Sequence, residues 1–141
     1  MTGKPKSKIA TVVLFALLIT AFAIQSTPAI ANNHQDRPYL ITLPANYGSV
    51  VILGEEKTDT TSSYRDCQGA GAYHTVQVMA RTSRTGTVQD VGSPILGCPA
   101  GYAGYLYNWV YEEGYRWAAL KFTNLNSFSG SAYGVWSPDS V

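Results

Sequence analysis

The sequence predicts an all-β fold, a small antiparallel β-sandwich or barrel of about seven to eight strands carrying one disulfide. Three observations predict it. Short runs of alternating side-chain character recur along the chain, each bounded by Gly, Pro, Asn or Ser. Aromatic residues, which suit a pleated surface, are abundant, with ten Tyr and three Trp. Charged residues make up only 13% of the chain, which with this aromatic content argues for an ordered domain rather than a disordered tail.

The first segment is set apart by composition. Lys4, Lys6 and Lys8 precede an apolar run from Ile9 to Ile24, and Ala29-Ile30-Ala31 follows. A charged start, an apolar middle and small residues at the −3 and −1 positions describe a secretory signal, 1–31, cleaved after Ala31. The apolar run is shorter than the roughly 20 residues of a spanning helix. The expectation is a secreted, extracellular protein with no membrane span in its mature form. Residues 32–38 read as a flexible N-terminus and 39–141 as a single β-domain. Seven basic and nine acidic residues remain after cleavage. That balance lacks the basic footprint of a nucleic-acid binder.

Strands are expected at 39–43, 49–53 (SVVIL), 73–81, 87–91 and 131–136, and 57–65 reads as an edge strand or extended segment. Pro44, Asn46 and Gly48 punctuate the first pair, and Gly54-Glu55-Glu56 ends the second. In 73–81, His74, Val76, Val78 and Ala80 share one face; Tyr73, Thr75, Gln77 and Met79 share the other. The stretch 101–122 holds two of the three Trp and five of the ten Tyr. It reads as two aromatic strands joined at Glu112-Glu113-Gly114, with glycine free to take positive φ. Tyr105, Tyr107, Trp109 and Tyr111 then share a face opposite Leu106, Asn108 and Val110. A helix over 111–122 is disfavoured by Gly114 and by the lack of an apolar stripe at helical spacing.

Cys67 and Cys98 form an even pair, which in an exported domain reads as a disulfide. Closing a loop of about 30 residues contributes roughly 3–4 kcal/mol by chain entropy. The segments CQGAGAY and CPAGYAGY echo one another, and their small residues would let two backbones approach closely. No C-x-x-C motif is present, so no zinc ribbon, metal site or cofactor is expected.

Nothing in the sequence forms a catalytic set. His34 falls in the N-terminal segment, and His74 falls on an apolar strand face. G-x-S-x-G is absent, Glu55-Glu56 and Glu112-Glu113 read as solvated turns, and Gly69-Ala70-Gly71 lacks the context of a phosphate cradle. The candidate binding surface is aromatic: Tyr105, Tyr107, Trp109, Tyr111, Trp117 and Trp136. About two-thirds of the rings in 105–117 are expected in the core, and an exposed remainder would form an adhesive face.

The closing stretch ALKFTNLNSFSGSAYGVWSPDS carries an aromatic strand, an Asn-rich turn, a small-Tyr-x-x-Trp pattern and an acidic tail. Leu120, Asn124, Asn126, Gly130, Tyr133, Trp136 and Asp139 carry the pattern. It resembles small exported Gram-positive proteins of unknown function associated with lactococcin-type bacteriocin systems. That resemblance implies a secreted toxin or an accessory to immunity, and supplies no catalytic residues.

The leading expectation is therefore a monomeric, non-enzymatic β-domain that binds a cell-envelope component or a protein partner. One alternative is a carbohydrate-binding module stacking sugar on exposed Trp and Tyr. Another is a small secreted hydrolase or hydrolase inhibitor; the enzyme would need His74 in a cleft beside an acid or serine.

Overall fold

The computed structural model describes residues 34–140. The expected signal and its cleavage point after Ala31 lie outside the described residues. Ten strands occur among the described residues, rather than seven to eight, and no helix does. They are β1 (Arg37–Leu43), β2 (Ser49–Val51), β3 (Glu55–Glu56), β4 (Ser63–Ala70), β5 (His74–Arg81), β6 (Val88–Gln89), β7 (Leu96–Gly97), β8 (Tyr102–Leu106), β9 (Trp117–Asn124) and β10 (Gly130–Ser137). One antiparallel sheet has the order β1-β10-β4-β8. The other runs β2-β9-β5-β6, with β3 also on β9 and β7 also on β5. The arrangement is consistent with the expected sandwich.

Both sheets contribute to one core. Tyr39, Ile41 and Leu43 alternate inward from β1, while Leu40 and Thr42 face out. Val76, Val78 and Ala80 of β5 meet Ala118, Leu120 and Phe122 of β9 in the same cluster. The rings of Tyr39 and Phe122 span the two sheets with centroids 5.0 Å apart. The far face of β5 is also covered at Met79 and Gln77. Gln77 donates from Nε2 to the Ser93 carbonyl at 3.0 Å, so the 90–93 segment lies over that face.

Several expectations need correction. β1 begins at Arg37, inside the stretch expected to be flexible; its Pro38 is tolerated because β1 is an edge strand. Glu55-Glu56 is not a solvated turn but β3, paired to Ala118 and Trp117. Glu55 faces Arg37 at 3.4 Å and Arg84 at 3.8 Å. The strand expected at 57–65 is displaced to Ser63–Ala70 and takes in Cys67 and part of its small-residue stretch. The aromatic hairpin does not form. β8 lies in one sheet and β9 in the other, where both edges of β9 are taken: one by β5 through eight residues, from His74↔Asn124 to Arg81↔Trp117, the other by β2 and β3. A strand so thoroughly paired and covered cannot also pair with β8.

The expected disulfide is absent as well. Cys67 and Cys98 are buried free thiols, and Sγ of Cys67 donates to the Cys98 carbonyl at 3.5 Å instead of meeting the other sulfur.

β10 sits between β1 and β4, and one glycine makes that possible. The β10–β4 register shifts between Tyr133 and Gly134, leaving Gln68 as the extra residue on β4. A Cβ on Gly134 would lie 2.0 Å from the Asp66 carbonyl and 2.8 Å from the Tyr39 hydroxyl. Gly134→Ala is expected to cost about 3 kcal/mol, an overpacking penalty, measured by urea unfolding. An unchanged midpoint would refute the close approach.

The segment that follows β10 is fixed by a buried ion pair. Lys57 and Asp139 are both fully buried, with Nζ 2.9 Å from Oδ1. Lys57 also donates to the carbonyls of Thr61 and Pro138, and Thr58 donates to Oδ2 through its amide and hydroxyl. Burial alone would raise the Asp139 carboxyl; hydrogen bonds from Lys57 and Thr58 outweigh it and hold the group below the usual carboxylate range. A depressed folded value means that this stabilisation is present above the unfolded carboxylate value and lost as pH falls through the folded one. Asp139→Asn is expected to destabilise by about 3–5 kcal/mol at neutral pH, because Lys57 is left as an uncompensated buried charge. The Tm gap between parent and variant should close as pH drops through the acid range. Parallel Tm–pH curves would show that Asp139 is not the titrating group.

Candidate functional site

Two places combine chemistry with geometry. The first is the segment that leads out of β8. Its alternation continues past the strand's end: Leu106, Asn108 and Val110 are buried, whereas Tyr105, Tyr107 and Trp109 are exposed. The buried members anchor the exposed ones. Asn108 donates from Nδ2 to Ser63 Oγ at 3.2 Å and to the Leu106 carbonyl at 3.1 Å, and its Oδ1 accepts the Val110 amide at 3.4 Å. The segment then closes as a single helical turn. Tyr115 N–H donates to the Val110 carbonyl and Gly114 N–H to the Tyr111 carbonyl, with Gly114 at φ 86°. That is the bonding of a Schellman motif, and it uses the positive φ expected of Gly114 in a different kind of turn.

The rings thus face outward in greater number than expected. Tyr105, Tyr107 and Trp109 are 57%, 70% and 44% exposed, and Tyr102 adds a fourth ring on the same strand. Tyr111 and Trp117 are half-buried. Arg116 stacks its guanidinium 4.0 Å over the Tyr111 ring, and Tyr64 packs edge-on against Tyr105 at 5.9 Å. Trp136 is 1% exposed in the core and does not belong to the surface. It is the inward residue of β10, opposite Arg65 and Arg37 in the register.

The second place was not assembled by sequence reasoning. Cys67, Cys98 and His74 come together, with the two Sγ atoms and a ring nitrogen of His74 all within 4.8 Å of one another. Their backbones are tied: the Cys98 amide donates to the His74 carbonyl at 3.0 Å, and the Gly101 amide to the Cys67 carbonyl at 2.6 Å. His74 Nδ1 is 3.0 Å from the Ala72 carbonyl, so it carries the proton and donates; Nε2 is buried without a hydrogen-bond partner. Burial holds the imidazole below its usual range, offset in part by that bond, so the ring is neutral. Burial pushes the Cys98 thiol up to about 12 despite the nearby Arg65 guanidinium, which places it far from a reactive thiolate. No acid belongs to this group.

His74 and Cys98 line a cavity of about 400 Å³ whose walls include Gly71, Ala72, Gly97 and Ala100. Both small-residue stretches after the cysteines therefore reach one cavity. Their echo, with a histidine facing inward at the start of β5, was the signal that could have joined the three residues. His34 stands exposed before β1, and Glu112 and Glu113 are exposed in the turn.

Residues 26–140 match the model of a family described as protein of unknown function (DUF2712). The match takes in every strand, the aromatic segment and the cysteine–histidine group. No curated protein and no solved structure matches the chain.

Asn108→Ala is expected to cost about 1–3 kcal/mol, because it strips partners from a buried Ser63 hydroxyl and the Val110 amide. It should also loosen the aromatic segment, seen as lower steady-state fluorescence anisotropy of tryptophan under native conditions. Loss of stability with unaltered anisotropy would show that Asn108 does not hold the segment.

Proposed function

The chain belongs to the DUF2712 family, proteins of unknown function, and we propose that it is an exported, non-catalytic binding domain that takes a protein partner at the cell envelope along its β8 edge. One observation carries the reading: three rings on alternate positions face solvent while the residues between them are buried and hydrogen-bonded. Tyr and Trp fixed in this way offer large contact area at little entropic cost, and such rings concentrate binding energy at interfaces. β8 is the terminal strand of its sheet, so an extended partner segment can pair along it while its side chains meet the tyrosines.

The envelope setting is supported by the signal-like N-terminus and by the resemblance to exported proteins of bacteriocin systems. Within such a system the domain would act as toxin or immunity accessory. The carbohydrate reading is weaker. Of the three tryptophans, Trp136 is in the core and Trp117 is half-buried, so they do not build a row of exposed rings. The hydrolase reading is also weaker: His74 is 3% exposed and groups with two thiols. Among the described residues no helix is long and apolar enough to cross a membrane.

Labelled protein is expected to bind intact Gram-positive cells and to lose that binding once the cells are shaved with protease. Tyr107→Ala and Trp109→Ala should each weaken it by about 30-fold, the scale of an interface hot spot, with unfolding midpoints unchanged. Binding that survives shaving and is competed by purified cell-wall polysaccharide would replace the protein partner with a glycan. No binding to cells would overturn the envelope reading.

A further inference from the structure

We propose that Cys67, Cys98 and His74 are three ligands of a binding site for a thiophilic d10 metal ion, Zn(II) being the best fit, with its fourth position open to the adjoining cavity. The site is independent of the aromatic edge.

The donor set is the first argument. Two sulfurs and one imidazole nitrogen suit Zn(II), which takes Cys and His ligands and keeps an open position where only three come from the protein. Two thiolates cancel the charge of the divalent ion, so the filled site is neutral, as a core requires. Cys67, Cys98 and His74 are 0%, 2% and 3% exposed.

Geometry is the second argument. The three donor atoms already lie within 4.8 Å of one another. Around Zn(II), with bonds of about 2.3 Å to sulfur and about 2.0–2.1 Å to nitrogen, tetrahedral donors stand roughly 3.5–3.8 Å apart. Rotamer adjustments of about 1 Å close the set. The cross-bonded backbones of Cys98 with His74 and of Gly101 with Cys67 hold the three ligand positions in place.

The histidine is the third. Its Nδ1–H is spent on the Ala72 carbonyl, the outer contact that fixes tautomer and ring plane in metal-ligating histidines. What remains is a buried Nε2 lone pair with no hydrogen-bond partner, which costs free energy unless something accepts it. The ring lies within 4.8 Å of two sulfurs and keeps one unprotonated nitrogen, the form in which an imidazole ligates a metal.

The cavity is the fourth. It reaches His74 and Cys98 directly, and glycine and alanine walls leave room for a water or a small exogenous ligand on the metal. Cys67 comes from β4, His74 from β5 in the other sheet, and Cys98 from the loop between β7 and β8. A metal here would tie the two sheets together across the core.

The test is metal titration of the purified, reduced protein under anaerobic conditions, with Zn(II) against a chromophoric chelator and with Co(II) as a spectroscopic probe. Expected are one ion per chain at a Kd of about 1 µM or tighter, a thiolate-to-cobalt charge-transfer band, and a Tm that rises with zinc. His74→Gln should weaken zinc by at least about 10-fold while leaving the metal-free Tm near that of the parent. Cys67→Ser should abolish the charge-transfer intensity from one sulfur. Should the cysteine variant fail to fold, the cobalt spectrum of the parent and the glutamine variant still decide. Weak or non-stoichiometric binding that His74→Gln leaves unchanged overturns the proposal. So does a purified protein whose Cys67 and Cys98 are joined in a disulfide that resists reduction.

Discussion

The Lys57–Asp139 pair is the contact from which a chain of polar interactions runs through the molecule. Both charges are fully removed from water, and each is surrounded by hydrogen-bond partners. Pro138 O accepts from Lys57 Nζ and from Ser63 Oγ; Ser63 Oγ accepts from Asn108 Nδ2; Asn108 Oδ1 accepts from the Val110 amide. The end of β10, the start of β4 and the aromatic segment beyond β8 are thereby one network. A buried ion pair adds little net stability over a well-packed apolar group, but breaking it is costly, so it selects one arrangement of three chain segments. The outward rings of Tyr107 and Trp109 are positioned by the inner end of that network.

Sequence alternation revealed the faces better than it revealed the pairing. In 73–81 and in 105–110 each residue assigned to the apolar face is buried, because the period of two is a local property of extended backbone. Strand partnership is not local. E-E-G looks like a hairpin loop, and Gly114 does take positive φ, yet the strands on either side of it enter different sheets. The competition was decided by segments distant in sequence: β5 takes one edge of β9 through eight residues, and β2 and β3 take the other. The same limit hid β3 and β7, two-residue strands that exist because a longer neighbour presents an edge. Trp136 shows the same local rule: the extra residue of the bulge lies on β4, so alternation runs unbroken along β10 and puts Tyr133 outward and Ala132 and Trp136 inward.

The candidate sites differed in legibility for physical reasons. A contiguous aromatic row announces itself in sequence, and only its exposure had to await packing. Cys67, His74 and Cys98 are separated by stretches of small residues and belong to different sheets and a loop, so no spacing rule for metal ligands applied to them. An even cysteine pair behind an N-terminus read as an export signal points to a bridge, which here competes with the arrangement the side chains adopt. The Cys67 thiol is engaged by a carbonyl, and the third member, an imidazole with one nitrogen unpartnered, has no role in a disulfide.

Arg65 explains why these two places occur so near one another in the chain. It points inward from β4 and is 1% exposed. Nη2 donates to the Gly97 carbonyl at 2.8 Å, one residue before Cys98, and Nη1 donates to the Tyr102 carbonyl at 3.2 Å, at the start of β8. Its Cζ also lies 4.9 Å from the centroid of the Tyr102 ring. One planar fork thus sets the path of the chain from the thiol loop into the aromatic edge, a geometry that lysine's point charge cannot reproduce. Its charge does a second job. Burial raises the Cys98 thiol, and the Arg65 guanidinium offsets part of that rise.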